Sequence, residues 1–256
     1  MPETQQSVST STRVHRASSQ TIGRVTPWLP SSIKRPIRRA LPRRYWRYFD
    51  PDWHRRAIGL PWEAMGKLQF DFLVDQGLKP EHHLLDVGCG PLRAGVHFMA
   101  YLEPGHYFGV EKRADLLEAG RDVEMPRSGV VGRNPTLVVM EDFDFRRLDQ
   151  TFDFAIAQSV FTHLPINNVI RCLVRMSEVL VPGGRFFASI WENEQGKRNL
   201  EPIQQRPDIA THFDRNPFHY DFAAFEWMCA GTDLVPEYIG EWNNPRNQKM
   251  LVFTKS

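Results

Sequence analysis

Two glycines and a glutamate have the types and spacing of a turn that binds a nucleoside. The apolar run 84–87 predicts a buried strand that ends in Gly88 and Gly90. Glycine lets the backbone approach a ligand because it has no Cβ atom. A second apolar run, 107–110, ends in Glu111, about twenty residues beyond the turn. A carboxylate at that spacing can bind the two hydroxyls of a ribose.

The turn departs from the phosphate-binding glycine patterns. Arg93 stands where the dinucleotide fingerprint G-x-G-x-x-G needs its third glycine, and the loop lacks the G-K-[ST] of a P-loop. A cofactor with a ribose but no pyrophosphate therefore fits better, and nicotinamide-dependent oxidoreduction is disfavoured.

The same residues resemble motif I of the class I S-adenosylmethionine (SAM) methyltransferases, D-x-G-x-G. Asp86, Gly88 and Gly90 match it in register, and Glu111 matches the family's ribose-binding acid. The resemblance covers roughly residue 62 to the C-terminus. It implies SAM as the cofactor and the following cofactor-binding residues: Asp86, Gly88, Cys89, Gly90, Glu111, Asp142, Phe143 and Gln158.

The resemblance also assigns roles after the third and fourth strands. In the family, an acid such as Asp142 accepts from the adenine amino group, and an apolar neighbour such as Phe143 packs on the ring. Gln158 ends the fourth strand, where a backbone carbonyl often holds the cofactor's ammonium. The alternatives are a helix-capping Asp86, a solvated Glu111 and a plain loop acid at 142.

Alternating strands and helices predict an α/β fold around these turns. The strands are predicted at 83–87, 107–110, 137–140, 152–157, 185–190, 235–242 and 249–255. The helices are predicted at 61–77, 114–123, 167–180 and 221–230, with further helical residues after Gly90. The result is a doubly wound, seven-stranded, mostly parallel sheet with an antiparallel C-terminal hairpin. A Val-Pro-Gly-Gly turn before the fifth strand is similar to the class I methyltransferase fold.

Amino-acid composition and charge together divide the chain into three regions. Residues 1–20 are rich in Ser, Thr and Gln and predict a disordered tail, and 21–60 form a basic arm rich in Pro and Arg. The remainder, 61–256, is predicted to be the SAM-dependent methyltransferase domain. The arm could pack on this domain, contact an anionic surface or join a homo-oligomer. Nucleic-acid binding is not expected, because no nucleic-acid motif accompanies the charge.

Cysteine use and hydropathy predict a cytoplasmic protein. The 256 residues contain 3 cysteines without metal-ligand spacing, and the odd count favours reduced, buried thiols. Neither a transmembrane stretch nor a secretory apolar region is visible in the sequence.

His163 is the preferred candidate for a general base. It follows the fourth strand, near the expected methyl end of the cofactor, and imidazole titrates near neutral pH. A purely structural role for this histidine is the alternative. His219 and Glu192 are the other candidates, with packing and substrate orientation as their alternatives.

The polar segment 191–220 is long for a connection and predicts a lid or acceptor pocket. Its amides and aromatics, like those of the loop 242–248, suit a small-molecule or oligosaccharide acceptor with many hydroxyls. The combination of residues 240–242 with 248–250 shows a softer resemblance, to bacterial methyltransferases associated with sugar or polysaccharide modification. This resemblance favours O-methylation of a sugar hydroxyl in a glycan or glycoside, for example a methylated mycobacterial-type polysaccharide precursor. The alternatives are another small metabolite with an O or N acceptor, and a non-catalytic binding module. No cluster of His, Asp or Glu in the sequence dictates a metal site. Some sugar methyltransferases that resemble this fold use Mg²⁺, so Mg²⁺ is a second cofactor to test.

Overall fold

The computed structural model describes residues 50–59, 61–193 and 200–256. Its α-helices are α1 (Trp53–Ala57), α2 (Trp62–Asp75), α3 (Gly95–Tyr101), α4 (Ala114–Ala119), α5 (Met125–Arg127), α6 (Ile166–Val179) and α7 (Ala223–Cys229). Its strands are β1 (Leu84–Val87), β2 (Tyr107–Glu111), β3 (Thr136–Val139), β4 (Phe152–Ala157), β5 (Leu180–Ile190), β6 (Ile203–Arg206), β7 (Ile209–Thr211), β8 (Leu234–Gly240) and β9 (Lys249–Lys255). The predictions for the tail 1–20 and for most of the arm 21–60 fall outside the described residues.

Within the described residues, seven strands form one sheet in the order β3-β2-β1-β4-β5-β9-β8. The first five strands along the chain pair in parallel, and β9 runs antiparallel to both β5 and β8. The predicted doubly wound sheet with its antiparallel C-terminal hairpin is confirmed. Because the chain order reverses between β1 and β4, the crevice for a ligand lies at the carboxyl ends of these strands.

Both faces of the sheet are covered, which is why β1 is apolar almost throughout and buried along its whole length. Leu85 and Val87 belong to the core on one face, with the inner side of α6. Leu84 belongs to the core on the other face, with α3 and the end of α2. Asp86 lies on the same side of the strand as Leu84, since side chains alternate along a strand.

Two predicted boundaries change in the structure. The helix predicted at 114–123 continues to residue 127, because a π-helical turn, Gly120–Glu124, joins α4 to α5. The predicted turn at 181–184 lies inside β5 as a bulge. Leu180 and Arg185 pair with Phe152 and Phe154, so four residues of β5 lie opposite one of β4.

The π-helical turn holds helix α1 in place. Glu124 is buried and accepts hydrogen bonds from Arg55 over 2.6 and 2.9 Å. Its Oε1 also lies 2.5 Å from His54 Nε2. These contacts attach α1 to the helix that follows β2, and they place Ala57 and Ile58 at the edge of the crevice.

The segment 191–220, predicted as a lid, contains structure of its own. Strands β6 and β7 form a small antiparallel sheet. The Phe218 N–H donates to the Thr162 carbonyl over 2.8 Å, and the Tyr220 N–H donates to the Trp191 carbonyl over 2.9 Å. The end of the segment is therefore bound to the loop after β4, beside the crevice.

Candidate functional site

A cavity of about 870 Å³ opens at the carboxyl ends of β1, β2, β3 and β4. This volume is within the range of small-molecule sites, about 300–1,000 Å³. The cavity wall includes these residues predicted from the sequence: Asp86, Gly88, Cys89, Gly90, Glu111, Phe143, Gln158 and His163. Asp142, His219 and Glu192 are not part of the wall.

The turn after β1 depends on Gly88. Its φ of +71° lies in the left-handed region that favours glycine. A Cβ atom at this position would also lie 2.7 Å from Val160 Cγ2, which belongs to the loop after β4. The turn and that loop can therefore approach closely only because residue 88 has no side chain.

The backbone donors of the turn are bonded inside the protein. The N–H groups of Gly88 and Cys89 both donate to the Val110 carbonyl, over 2.8 and 3.1 Å. The Gly90 N–H donates to Glu111 Oε2 over 3.1 Å. The Cys89 thiol is buried in the core, and burial raises its pKa well above the usual value. The thiol is therefore protonated at neutral pH and unsuited to nucleophilic chemistry.

Glu111 is buried in the cavity wall, at the end of β2. Besides the bond from Gly90, its Oε1 accepts a hydrogen bond from the Arg113 N–H over 2.9 Å. These donors orient the carboxylate without exhausting its lone pairs. The acid can therefore still accept hydrogen bonds from a ligand in the cavity.

Asp86 is a buried carboxyl beneath the turn. It accepts a hydrogen bond from the Tyr107 hydroxyl over 2.7 Å. Burial raises the pKa of Asp86 to about 7, although the bond from Tyr107 acts in the opposite direction. Gly95, at the start of α3, makes room for this bond, because a Cβ atom there would lie 2.5 Å from the Tyr107 oxygen.

Arg93 is a cavity residue for which the sequence analysis found no role. It is 7% exposed, and its Nη2 donates to the Gln158 side chain over 3.1 Å. Burial lowers the pKa of Arg93 to about 10, and the charge of Arg246 acts in the same direction. The sequence does contain an indication of this residue, because a large cation replaces the third glycine of the dinucleotide fingerprint. That replacement argues against a dinucleotide, but it does not predict that Arg93 lines the cavity.

The Gln158 side chain belongs to a buried polar network. Its Nε2 donates to Ser159 Oγ over 2.7 Å and to Gln248 Oε1 over 3.3 Å. Gln248 Oε1 also accepts from the hydroxyls of Ser159 and Ser189, over 2.7 and 2.9 Å. The network connects the cavity wall to the loop between β8 and β9 and orients the partner of Arg93.

The segment after β3 differs in detail from the prediction. The Asp142 carboxylate is exposed and forms an ion pair with Arg147, away from the cavity. Its neighbours Glu141 and Phe143 line the cavity together with Met140. Phe143 and Met140 supply an apolar surface there, and Glu141 is the acid of this segment that lies at the wall.

His163 lies at the cavity wall and is exposed to solvent. Its Nδ1 is 2.6 Å from the Oδ1 of Asn216, another wall residue, which comes from the segment 191–220. An amide oxygen is an acceptor only, so the contact favours the tautomer with the proton on Nδ1. Nε2 then carries the lone pair and can accept a proton.

The other two candidate bases lie elsewhere. His219 is buried, with its Nδ1 3.0 Å from Thr211 Oγ1 on β7. Glu192 accepts a hydrogen bond from the Tyr238 hydroxyl over 2.9 Å, on the surface of β8. Neither is part of the wall. Glu192 follows the predicted fifth strand and His219 ends the segment 191–220, and these sequence positions do not determine which side chains face the cavity.

The sheet order and the glycine turn with its acid define a class I methyltransferase fold. Residues 85–186 match a family model described as a methyltransferase domain. Probable methyltransferase ltbC of Aspergillus luteorubrus is 28% identical over 116 residues, which are 42% of this chain and 39% of that protein. The chain spans about two fifths of the length of the curated relatives it matches.

Solved structures share the fold. Magnesium protoporphyrin IX methyltransferase from Synechocystis PCC 6803, with bound SAM, superposes with a TM-score of 0.57 at 15% identity, covering 87% of this chain and 97% of its own. The glycopeptide N-methyltransferase MtfA, complexed with S-adenosyl-L-homocysteine (SAH), gives a TM-score of 0.55 at 17% identity and coverages of 75% and 90%. The chain therefore shares the class I methyltransferase fold with these proteins, and the named acceptors of these neighbours differ from one another.

Among the described residues, no group of three or more His, Cys, Asp or Glu side chains is placed to hold a metal ion. All three cysteines are buried, and none forms a disulfide in this part of the chain. No helix in the described ranges has the length and apolar character needed to cross a membrane.

Proposed function

We propose that this chain is a SAM-dependent methyltransferase. The observation that carries the proposal is the Glu111 carboxylate, buried in the cavity wall and held by the Gly90 and Arg113 N–H groups beside the glycine turn. An acid so oriented suits the two hydroxyls of a ribose. Phe143 and Met140 offer an apolar surface for an adenine ring at the neighbouring strand end.

SAM supplies a methyl group already activated by its sulfonium, so the protein has mainly to align the acceptor and exclude water. Glu111 would fix the ribose, and the buried Asp86 would face the cofactor's ammonium. Val160 and the turn at Gly88 lie close together and form adjoining parts of the cavity wall, where they can position a ligand. Positioning of this kind can provide most of the rate acceleration.

The acceptor is proposed to be a hydroxyl. An alcohol is a weak nucleophile while protonated, so a general base assists the transfer. His163 lies on the cavity wall with Nδ1 against Asn216, and this arrangement leaves Nε2 as the basic atom. Transfer would form a bond from the acceptor oxygen to the methyl carbon, break the bond from carbon to sulfur, and pass the hydroxyl proton to Nε2.

A sugar hydroxyl of a glycan or glycoside is the first acceptor class to test, with other small metabolites as the alternative. Asn216 and Arg246 support this acceptor class, because they bring an amide and a guanidinium to the cavity wall. Both groups can hydrogen-bond to hydroxyls. The amides of Asn193 and Gln205, which motivated the expectation of a sugar, do not line the cavity.

Calorimetry with SAH and with NAD⁺ tests the cofactor. We expect SAH to bind with release of heat and to raise the melting temperature, and NAD⁺ to do neither. Binding of NAD⁺ in preference to SAH, or absence of binding by SAH, would contradict the proposal. An acceptor screen with SAH release as the readout, run with and without a chelator, would then identify the acceptor class and any need for Mg²⁺.

A further inference from the structure

Two arginines line the cavity without a carboxylate partner. Arg93 and Arg246 are both wall residues, and within the described part of the chain neither forms an ion pair. Their guanidinium groups donate to neutral acceptors: Gly59 O and Gln158 Oε1 for Arg93, and Ile58 O for Arg246. Two cations that face one cavity and are paired only with neutral groups form a natural site for an anion.

Arg93 has a donor left unused. Its side chain is more than nine-tenths buried, and its Nε has no hydrogen-bond partner among the described residues. The bond to the Gly59 carbonyl is long, at 3.4 Å. A buried charged donor without a partner is costly, so the arrangement favours a ligand that accepts from it.

A buried acid lies near the same arginine. The charges of Asp86 and Arg93 affect each other's pKa values, yet the only side-chain hydrogen bond of Asp86 among the described residues comes from Tyr107. A cation and an anion that lie close together without a direct hydrogen bond match a ligand that carries both charges on groups attached to one carbon. An α-amino acid group has this chemistry, with its carboxylate toward the arginine and its ammonium toward the acid.

We propose that Arg93, assisted by Arg246, forms a carboxylate-binding subsite that takes the α-carboxylate of the cofactor's amino-acid end. The inference rests on the proposed function, and it adds the residues that bind the amino-acid end of the cofactor. Arg246 comes from the loop between β8 and β9, so the C-terminal hairpin contributes to cofactor binding. The Gln248 network supports the subsite by orienting Gln158 against Arg93.

The test uses three ligands on the full chain by calorimetry. SAH carries both charges, its decarboxylated analogue S-adenosyl-3-thiopropylamine keeps the amine alone, and 5′-methylthioadenosine lacks both. In the parent protein we expect SAH to bind about tenfold to a hundredfold more tightly than the decarboxylated analogue. Arg93→Gln should remove most of this difference by weakening SAH, while the affinity of the other two ligands changes less than about twofold.

Matched variants separate the subsite from general charge effects. Arg246→Gln should weaken SAH selectively but by a smaller factor, and Arg171→Gln, an exposed arginine of α6, should change none of the affinities. Arg93→Lys keeps the charge in case the glutamine variant fails to fold, and it should retain part of the preference for SAH.

Three results would contradict the inference. Equal weakening of all three ligands in Arg93→Gln would show that Arg93 supports the fold of the cavity. Unchanged SAH affinity would assign the arginines to some other anion, such as an acceptor carboxylate. If none of the three ligands binds the parent protein, the proposed function itself fails.

Discussion

Glu111 Oε2 accepts a hydrogen bond from the Gly90 N–H over 3.1 Å, which joins the acid that ends β2 to the turn that follows β1. The two residues are therefore parts of one structure, in which the acid shapes the turn and the turn orients the acid. Substitution of either residue should therefore weaken ligand binding through its effect on the other residue as well as directly.

Glu111→Ala should weaken SAH binding by about 2 kcal/mol, because the ribose hydroxyls lose a charged acceptor. Calorimetry measures this change, and the melting temperature of the free variant shows separately whether the turn has lost stability. Glu118→Ala, an exposed acid on α4, is the matched control and should bind SAH normally. Unchanged affinity in Glu111→Ala would remove Glu111 from the ribose site.

Gly88→Ala should destabilise the protein by about 1–3 kcal/mol, because alanine is strained at φ +71° and its Cβ would contact Val160. Urea unfolding measures the loss. The double variant Gly88→Ala with Val160→Ala removes the contact but not the backbone strain. Gly88→Ala should therefore lower the free energy of unfolding by less in the Val160→Ala background than in the parent, but the loss should not disappear. Absence of any loss in that background would argue against backbone strain.

Asp86 should make stability depend on pH in a defined window. Its pKa rises from 3.8 to about 7 on folding, so the folded chain binds more protons between these values. Its contribution to the free energy of unfolding therefore falls as pH rises from about 4 to about 7.

Asp86→Asn keeps an acceptor for Tyr107 but cannot titrate, so its stability relative to the parent should increase across this window. Denaturant titrations at pH 4, 6 and 8 would show the trend. Asp149→Asn, at an exposed position, should follow the parent. A difference between Asp86→Asn and the parent that stays constant with pH would contradict the assignment.

His163→Ala should lower turnover about a hundredfold with SAH affinity unchanged, if Nε2 removes the acceptor proton. The rate is followed as SAH release with the best acceptor from the screen. Asn216→Ala should lower kcat by about tenfold and leave KM for SAM unchanged, because the ring loses the partner that sets its tautomer.

His82→Ala, which removes a histidine outside the cavity wall, is the control. A near-normal rate in His163→Ala would assign this histidine a structural role. His219 and Glu192 would then have to be tested in turn, although both lie away from the wall.

Much of the fold could be predicted because its signals are local. The run 84–87 is apolar since β1 is buried on both faces, and Gly88 and Gly90 follow because the chain must turn there with positive φ. Glu111 could be placed as well, since parallel neighbouring strands bring their carboxyl ends to one edge of the sheet. Such features depend on side-chain period and turn chemistry within a few residues.

The sequence by itself determined the alternation of strands and helices, the glycine turn and its acid. The tertiary structure alone decided which of the polar residues after each strand face the cavity. It turned Asp142 toward Arg147, placed Asn216 beside His163, and brought Arg246 near Arg93 from the far end of the chain. Local sequence patterns do not determine these contacts, because each contact depends on how segments distant in sequence pack around the same crevice.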